Sequence, residues 1–392
     1  MIPTLHLDLF SDDVLANPYD HYRAVRDAGP VVRLDSDEAM VAIARYEDVR
    51  AAMRDWRAFR SSEGIGFNEV VNAALKDSIL GWEPPVHTVA RSAITTFLKA
   101  SEMRKIASSA ANEADNRISA LVDRPEFDVV EDLADPFVAS LVQTVFGVPS
   151  YVTDLFLAGG GSAQFMVVGP LNDRSMAVLP ILQALDDLLG RLKKSDMTPG
   201  SILWTMLDAE DRGEIPNEMR GKILSSFIGA AFDTTIAAIG SAIWLFATNP
   251  EQWDDLRKHP LVVPAAINEV VRFQSPIHTW GRYCSHDTTV SGVIIPAGTR
   301  VALMLAAANR DERHYPLADM FDIRRDAADH LGFGHGIHAC VGAPFARTLL
   351  TSLLNSLVSK VARIELAGEP VPRLNNTIRE FDSLPVKTFA AS

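Results

Sequence analysis

The chain has 392 residues, 47% of them hydrophobic and 22% charged, and carries a net charge of −13. That mixture supplies a large core, while the acidic balance argues against a nucleic-acid partner, since no excess of Lys and Arg is available to neutralise phosphates. Its two cysteines, Cys284 and Cys340, exclude a disulfide scaffold and fit a reducing, cytoplasmic setting.

The opening "MIPTLHLDLFSDD" lacks a basic segment followed by an apolar run, so neither a signal peptide nor an anchor is expected. "NPYDHYRAVRDAGPVVRLDSDEAMVAIARYEDVRAAMRD" reads helix, strand, strand, helix, with Asn17 as cap and Pro18 at the first helical position. Residues 61–82 have no clean periodicity and predict a long functional loop with one helical turn. From about 85 to 250 the pattern is mostly helical. "EDLADPFVASLVQTVFGVP" stops at Gly-Val-Pro, and "VLPILQALDDLLGRLKK" is amphipathic. The apolar stretch 223–247 is long enough to span a bilayer. Ser225, Ser226, Asp233, Thr234, Thr235 and Ser241 interrupt it, and an intramembrane Asp would be costly, so it predicts a buried central helix. Two Pro-bounded helices follow. "TTVSGVIIPAGTRVALML" then predicts two strands about a Pro-Ala-Gly turn, "APFARTLLTSLLNSLVSKV" a helix, and the tail weak strands. With no repeats or linkers, residues 1–392 read as one mainly α domain with a minor β-sheet region.

"HLGFGHGIHACVG", residues 330–342, concentrates ligand-type residues among glycines. His330, His335, His338 and Cys340 are zinc-type ligands, but the spacing is not that of paired knuckles. Cys340 before a helix N-terminus is also a reasonable nucleophile, or merely a small buried hydrophobe. A haem thiolate is the third reading: backbone N–H groups aimed at the sulfur require tight turns, which Gly334, Gly336 and Gly342 supply, and Phe333 offers an apolar wall.

The segment "FGHGIHACVG" (333–342) resembles the haem-binding signature of the cytochrome P450 superfamily, Phe-Gly-x-Gly-x-His-x-Cys-x-Gly, at every fixed position, and is most similar to soluble bacterial members. "EVVR" (Glu269 to Arg272) is by itself an ordinary helix pair. It resembles the family's Glu-x-x-Arg helix, where the pair is buried and joined by a later arginine, here Arg325. "GAAFDTTIAA" is similar to the oxygen-binding motif, with Ala231 replacing the common Gly. "EPPVHTVAR" resembles the segment that carries a propionate-binding His and Arg.

The resemblance implies a cytochrome P450 fold and haem b with its iron on Cys340. His87, Arg91, Arg282 and His338 would hold the propionates, and Phe333, Gly334 and Gly342 would surround the ligand. Thr234 would hydrogen-bond bound dioxygen, and Asp233 would relay protons to it from solvent. The implied activity is monooxygenation of a C–H bond by O2, as hydroxylation or O-demethylation. Electrons would come from an iron–sulfur ferredoxin and an NAD(P)H-dependent ferredoxin reductase, docking near Arg104, Lys105 and Arg347 of a monomer. A small hydrophobic substrate, aromatic or methoxyaromatic with a terpenoid as alternative, would meet Phe67, Ile79, Leu80, Phe165, Ala230, Ile277 and Phe381. Met166, the helix from Phe227 and Thr279 would lie nearby, and Ser61, Ser62 and Asn68 would greet a polar group. A peroxide-driven peroxygenase and a non-catalytic haem sensor are the competing classes. His330 and His335 are expected to be structural, and Cys284 inert.

Overall fold

The computed structural model describes residues 2–35, 40–213 and 220–391, and the side chains of all of these but 97 and 220–227. The apolar run at 223–247 decides the architecture. A helix that is apolar on every side has to be buried, and helix Arg220–Thr248 runs through the largest apolar cluster, to which it contributes Phe232, Ile239, Ile243 and Phe246. Among the described residues only Ile228–Thr248 is long and apolar enough to cross a membrane, and 72% of an 18-residue window of it is buried inside the protein. Helices Asp135–Phe146, Val263–Phe273 and Ala343–Lys360 pack around it, and helix Ala100–Leu121 lies along the last of these. Helix Asp135–Phe146 ends as its sequence predicts, at Gly147 with φ +79°, where a Cβ would stand 2.0 Å from Ser201 Oγ.

A six-stranded mixed sheet flanks the helices in the order Thr4–Leu5, Val32–Leu34, Met40–Ile43, Arg300–Met304, Thr279–Cys284, Phe59–Arg60. Strand Thr279–Cys284 runs antiparallel to Arg300–Met304 with Arg282 opposite Val301. The 61–67 loop lies against it: Gly281 N–H donates to Ile65 O at 2.9 Å, and a Cβ on Gly281 would stand 2.3 Å from Gly64 O. Backbone therefore packs on backbone beside Arg282. The 61–82 segment also holds a helix, Glu69–Leu75, capped by Asn68.

Two local expectations are corrected. Asn17 precedes helix Pro18–Ala28 but makes no side-chain cap bond. The hairpin Thr288–Val290/Val293–Ile295 turns at Ser291–Gly292, both at positive φ, and the Pro-Ala-Gly segment instead leads into the large sheet. The tail does form strands, Val361–Leu366, Val371–Arg373, Glu380–Ser383 and Pro385–Ala390.

Behind the cysteine loop sits a fully buried ion pair. Arg272 grips Glu269 in a two-pronged contact, Nε to Oε2 at 2.6 Å and Nη2 to Oε1 at 2.7 Å. Its Nη1 donates to Asn309 O and Ala318 O, while Asp322 N–H and Arg325 Nε donate to Glu269 Oε1. Every charge is answered, which a buried pair requires. The pair ties helix Val263–Phe273 to the irregular chain before the cysteine loop.

Candidate active site

The loop 330–342 is shaped by two glycines. Gly334 (φ +70°) and Gly336 (φ +72°) occupy the left-handed region, and a Cβ on Gly336 would lie 2.3 Å from Met53 O. Gly342 does not share that role: its φ is −82°, and a Cβ there would meet the Cys340 Sγ at an ordinary 3.7 Å. His330 Nδ1 accepts from Gly332 N–H, and Cys340 N–H donates to Phe333 O at 2.7 Å. The Cys340 side chain is accessible, yet protein surrounds it closely enough that burial raises its thiol pKa. The N–H groups of Gly342 and Ala343 and the charges of Arg91 and Arg347 act in the opposite sense, favouring thiolate. Cys284 is fully buried with its thiol toward His286 O.

Four bases converge beside the cysteine. His87 and His338 stand edge to face at 4.6 Å between ring centroids, and the Nε2 atoms of both are buried without a hydrogen-bond partner among the described residues. Burial, then Arg282, His87 and Arg91, push His338 down to about 2; burial, then Arg91, lower His87. Arg282, 4% exposed, is lowered to about 10 by burial, with Glu83 opposing. Glu83 is itself held by Arg60 and Ser62 at 3.0 Å each. Mutually repelling bases with orphaned ring nitrogens, beside a soft thiol, form a donor set suited to a dianionic metal-bearing group.

On the long helix, Ala230, Asp233, Thr234 and Ala237 share one face by their spacing. Ala230 is exposed and Thr234 half-buried although most of the described remainder of the helix is buried. Thr234 Oγ1 donates to Ala230 O, and Thr235 Oγ1 to Ala231 O, each at 2.7 Å. The helix continues unbroken through Ala231, so the alanine accompanies regular geometry. Asp233 is 5% exposed, and burial, then Glu380, raise its carboxyl well above the usual range.

Of the expected substrate contacts, the structure brings together Phe165 and Ile277, in a small apolar cluster with Ala237 and Ile378. Ala230 lies on the same helix face as Ala237, outside that cluster, and the others lie elsewhere. Phe67 is fully buried in the N-terminal cluster, its ring 5.1 Å from Phe10, and serves packing. Ile79 packs on the main core and Leu80 is half-buried in the turn after helix Glu69–Leu75. Phe381 rests on Gly240 and Trp244, further along the long helix than Thr234. The side chain of Phe227 lies outside the described residues. Ser62 is committed to Glu83, and Asn68 to Val71 N–H and the carbonyls of Val167 and Gly169. Ser61 Oγ is buried and has no hydrogen-bond partner among the described residues.

The chain is similar to known proteins along its whole length. Residues 251–377 match the family model described as Cytochrome P450. Across the whole chain, the protein is 32% identical over 395 residues to Cytochrome p450 CYP199A2 of Rhodopseudomonas palustris, covering 100% of this chain and 95% of that one. The chain belongs to the cytochrome P450 family. It is also 30% identical to the vitamin D(3) 25-hydroxylase of Pseudonocardia autotrophica, covering 97% of this chain and 96% of that one. The crystal structure of CYP109B1 from Bacillus subtilis superposes with a TM-score of 0.80 at 26% identity, over 97% of this chain and 100% of that one. As a P450, the protein is a haem-iron oxidoreductase of the monooxygenase class, using a cysteine thiolate ligand, dioxygen and redox partners.

Some features of the site were not read from the sequence. Ile378 sits in a segment with no motif, and Ala237, although inside "GAAFDTTIAA", was not singled out there. Arg347 stacks over the Phe333 ring at 4.5 Å and bonds Asn268, a pairing with no local signal.

Proposed function

We propose that this P450 holds haem b with its iron on Cys340, its propionates among His87, Arg91, Arg282 and His338, and Phe333, Gly334 and Gly342 around the sulfur. The observation that carries this is the cluster of bases with orphaned nitrogens beside an accessible thiol. Bound there, the haem supplies the chemistry that inserts one atom of O2 into a C–H bond. Burial raises the Asp233 carboxyl well above the usual range, which suits it to act as a local acid, and Thr234 orients that proton supply by turning its hydroxyl away from Ala230 O toward the haem site. A reduced, CO-treated sample showing the red-shifted Soret band of thiolate-ligated haem tests the assignment; a protein that stays colourless with added haem overturns it.

The substrate is a small hydrophobic molecule, and an aromatic or methoxyaromatic ring is the first choice. Phe165, Ala237, Ile277 and Ile378 provide an apolar wall with one aromatic face, and Ser61 offers a single polar contact. The aliphatic majority of that wall supports a compact terpenoid as second reading. A panel of both classes, scored by the low- to high-spin shift of the haem, ranks them. Electrons come from a ferredoxin and its NAD(P)H-dependent reductase, docking at exposed Arg104 and Lys105. Arg347 faces Phe333 and Asn268 and is less available. Product formation that needs these partners and NAD(P)H, rather than peroxide, separates this reading from a peroxygenase or a sensor.

Thr234→Ala is expected to keep NAD(P)H consumption within about twofold while product per electron falls at least tenfold, since a positioned proton donor contributes roughly 10²–10⁴. The missing electrons appear as peroxide. Unchanged coupling would remove Thr234 from the proton path.

A further inference from the structure

Asp233 has a neighbour that apolar packing does not require. Its Oδ2 is buried and has no hydrogen-bond partner among the described residues. A Cβ on Gly161 would stand 2.3 Å from its Oδ1, so the carboxyl is seated on bare backbone of helix Gly161–Met166. The next residue of that helix, Ser162, donates its hydroxyl to Glu380 Oε1 at 2.7 Å. Glu380 is 3% exposed and comes from strand Glu380–Ser383, which packs against the long helix. Adjacent residues of one helix therefore floor two buried carboxyls.

The cation that answers this pair is Arg373, 3.5 Å from Glu380 Oε1 and shared with half-exposed Asp382. Asp135 adds a third acid from the start of helix Asp135–Phe146, where burial raises it to about 6, and Asp128 and Glu131 add further negative charge there. One shared guanidinium cannot compensate two ionised carboxylates in an apolar setting.

We infer that Asp233 and Glu380 share one proton as a carboxyl pair, and that Glu380 is a positioning residue that sets the pH range over which Asp233 can donate. Glu380 acts in this way only if Asp233 is the proton donor of the site. When Asp233 gives its proton to the Thr234 hydroxyl, which passes on its own, both carboxyls are ionised opposite Arg373; one proton taken up from solvent restores the pair, and no electrons move. Burial raises both groups, Glu380 raises Asp233 further, and Arg373 lowers each.

The test uses the haem-loaded protein and two readouts. One is the infrared carbonyl band of a protonated carboxyl, titrated with pH and assigned by its loss in Asp233→Asn. The other is the alkaline limb of product formed per NAD(P)H. In the unaltered protein the band persists at neutral pH. Glu380→Gln removes a neighbouring negative charge, so Asp233 loses its proton at lower pH and both readouts move down by about one pH unit. Arg373→Met removes a positive charge, and both move up. A merely structural role would not shift them in opposite directions, and Arg373→Met remains informative if Glu380→Gln folds poorly. Absence of the band at neutral pH, or shifts of the same sign in the two variants, overturns the shared proton. An Asp233→Asn protein with an unaltered turnover profile overturns Asp233 as donor instead, leaving the infrared titration to decide the pair alone.

Discussion

Glu269→Ala is expected to destabilise the protein by about 3–5 kcal/mol, because it leaves Arg272 buried without its counter-ion. That is a large part of the roughly 5–15 kcal/mol by which a domain is stable. Arg272 would keep its bonds to the Asn309 and Ala318 carbonyls, but neither neutralises a charge. Asp322 N–H and Arg325 Nε would also lose their shared acceptor. Arg272→Leu is expected to cost a similar amount from the other side. The double variant Glu269→Leu/Arg272→Met is expected to cost less than the two single losses together, since it leaves neither charge unpaired. Denaturant midpoints of the four proteins, purified with haem, check this. Single variants that fold normally would show that the pair contributes little.

Cys340→Ser is expected to abolish the thiolate signature and reduce product formation by more than about 100-fold. Loss of only an outer hydrogen-bond partner of a metal ligand commonly costs roughly 10–100-fold, and here the ligand itself would go. Serine cannot substitute, because its hydroxyl does not ionise near neutral pH even with the Gly342 and Ala343 N–H groups directed at the position. Haem itself is expected to remain partly bound, since His87, Arg91, Arg282 and His338 are untouched. The CO-difference spectrum measures the first effect, and haem content per chain the second. A thiolate-type band surviving in Cys340→Ser would move the ligand elsewhere.

The cysteine loop was legible because its chemistry is local. The residues that set the sulfur's surroundings lie within a few positions of Cys340, so their spacing alone specifies the turn. Even there, the structure separates Gly334 and Gly336, which need positive φ, from Gly342, which does not. The Glu269–Arg272 pair was legible as a motif, but its backbone partners at Asn309, Ala318 and Asp322 were not, because they lie in irregular chain. The 61–82 loop misled most. Ser62 and Asn68 look like free polar groups in sequence, whereas the partly buried Glu83 claims the first and a helix cap the second.

The amino-acid sequence by itself determined the mainly helical architecture, the buried central helix and the cysteine loop, each of which rests on periodicity or on short-range spacing that a single segment carries. The four bases, drawn from three distant segments, were implied by the family resemblance instead. Only the tertiary structure decided which apolar residues face one another, as Phe165 and Ile277 do while Phe67 and Phe381 do not. It alone decided that Asp233 has Glu380 and Arg373 for company. Burial and charge compensation depend on what distant segments bring to the same place, and no local pattern in "REFDS" or "RLNN" announces a meeting with the centre of the long helix.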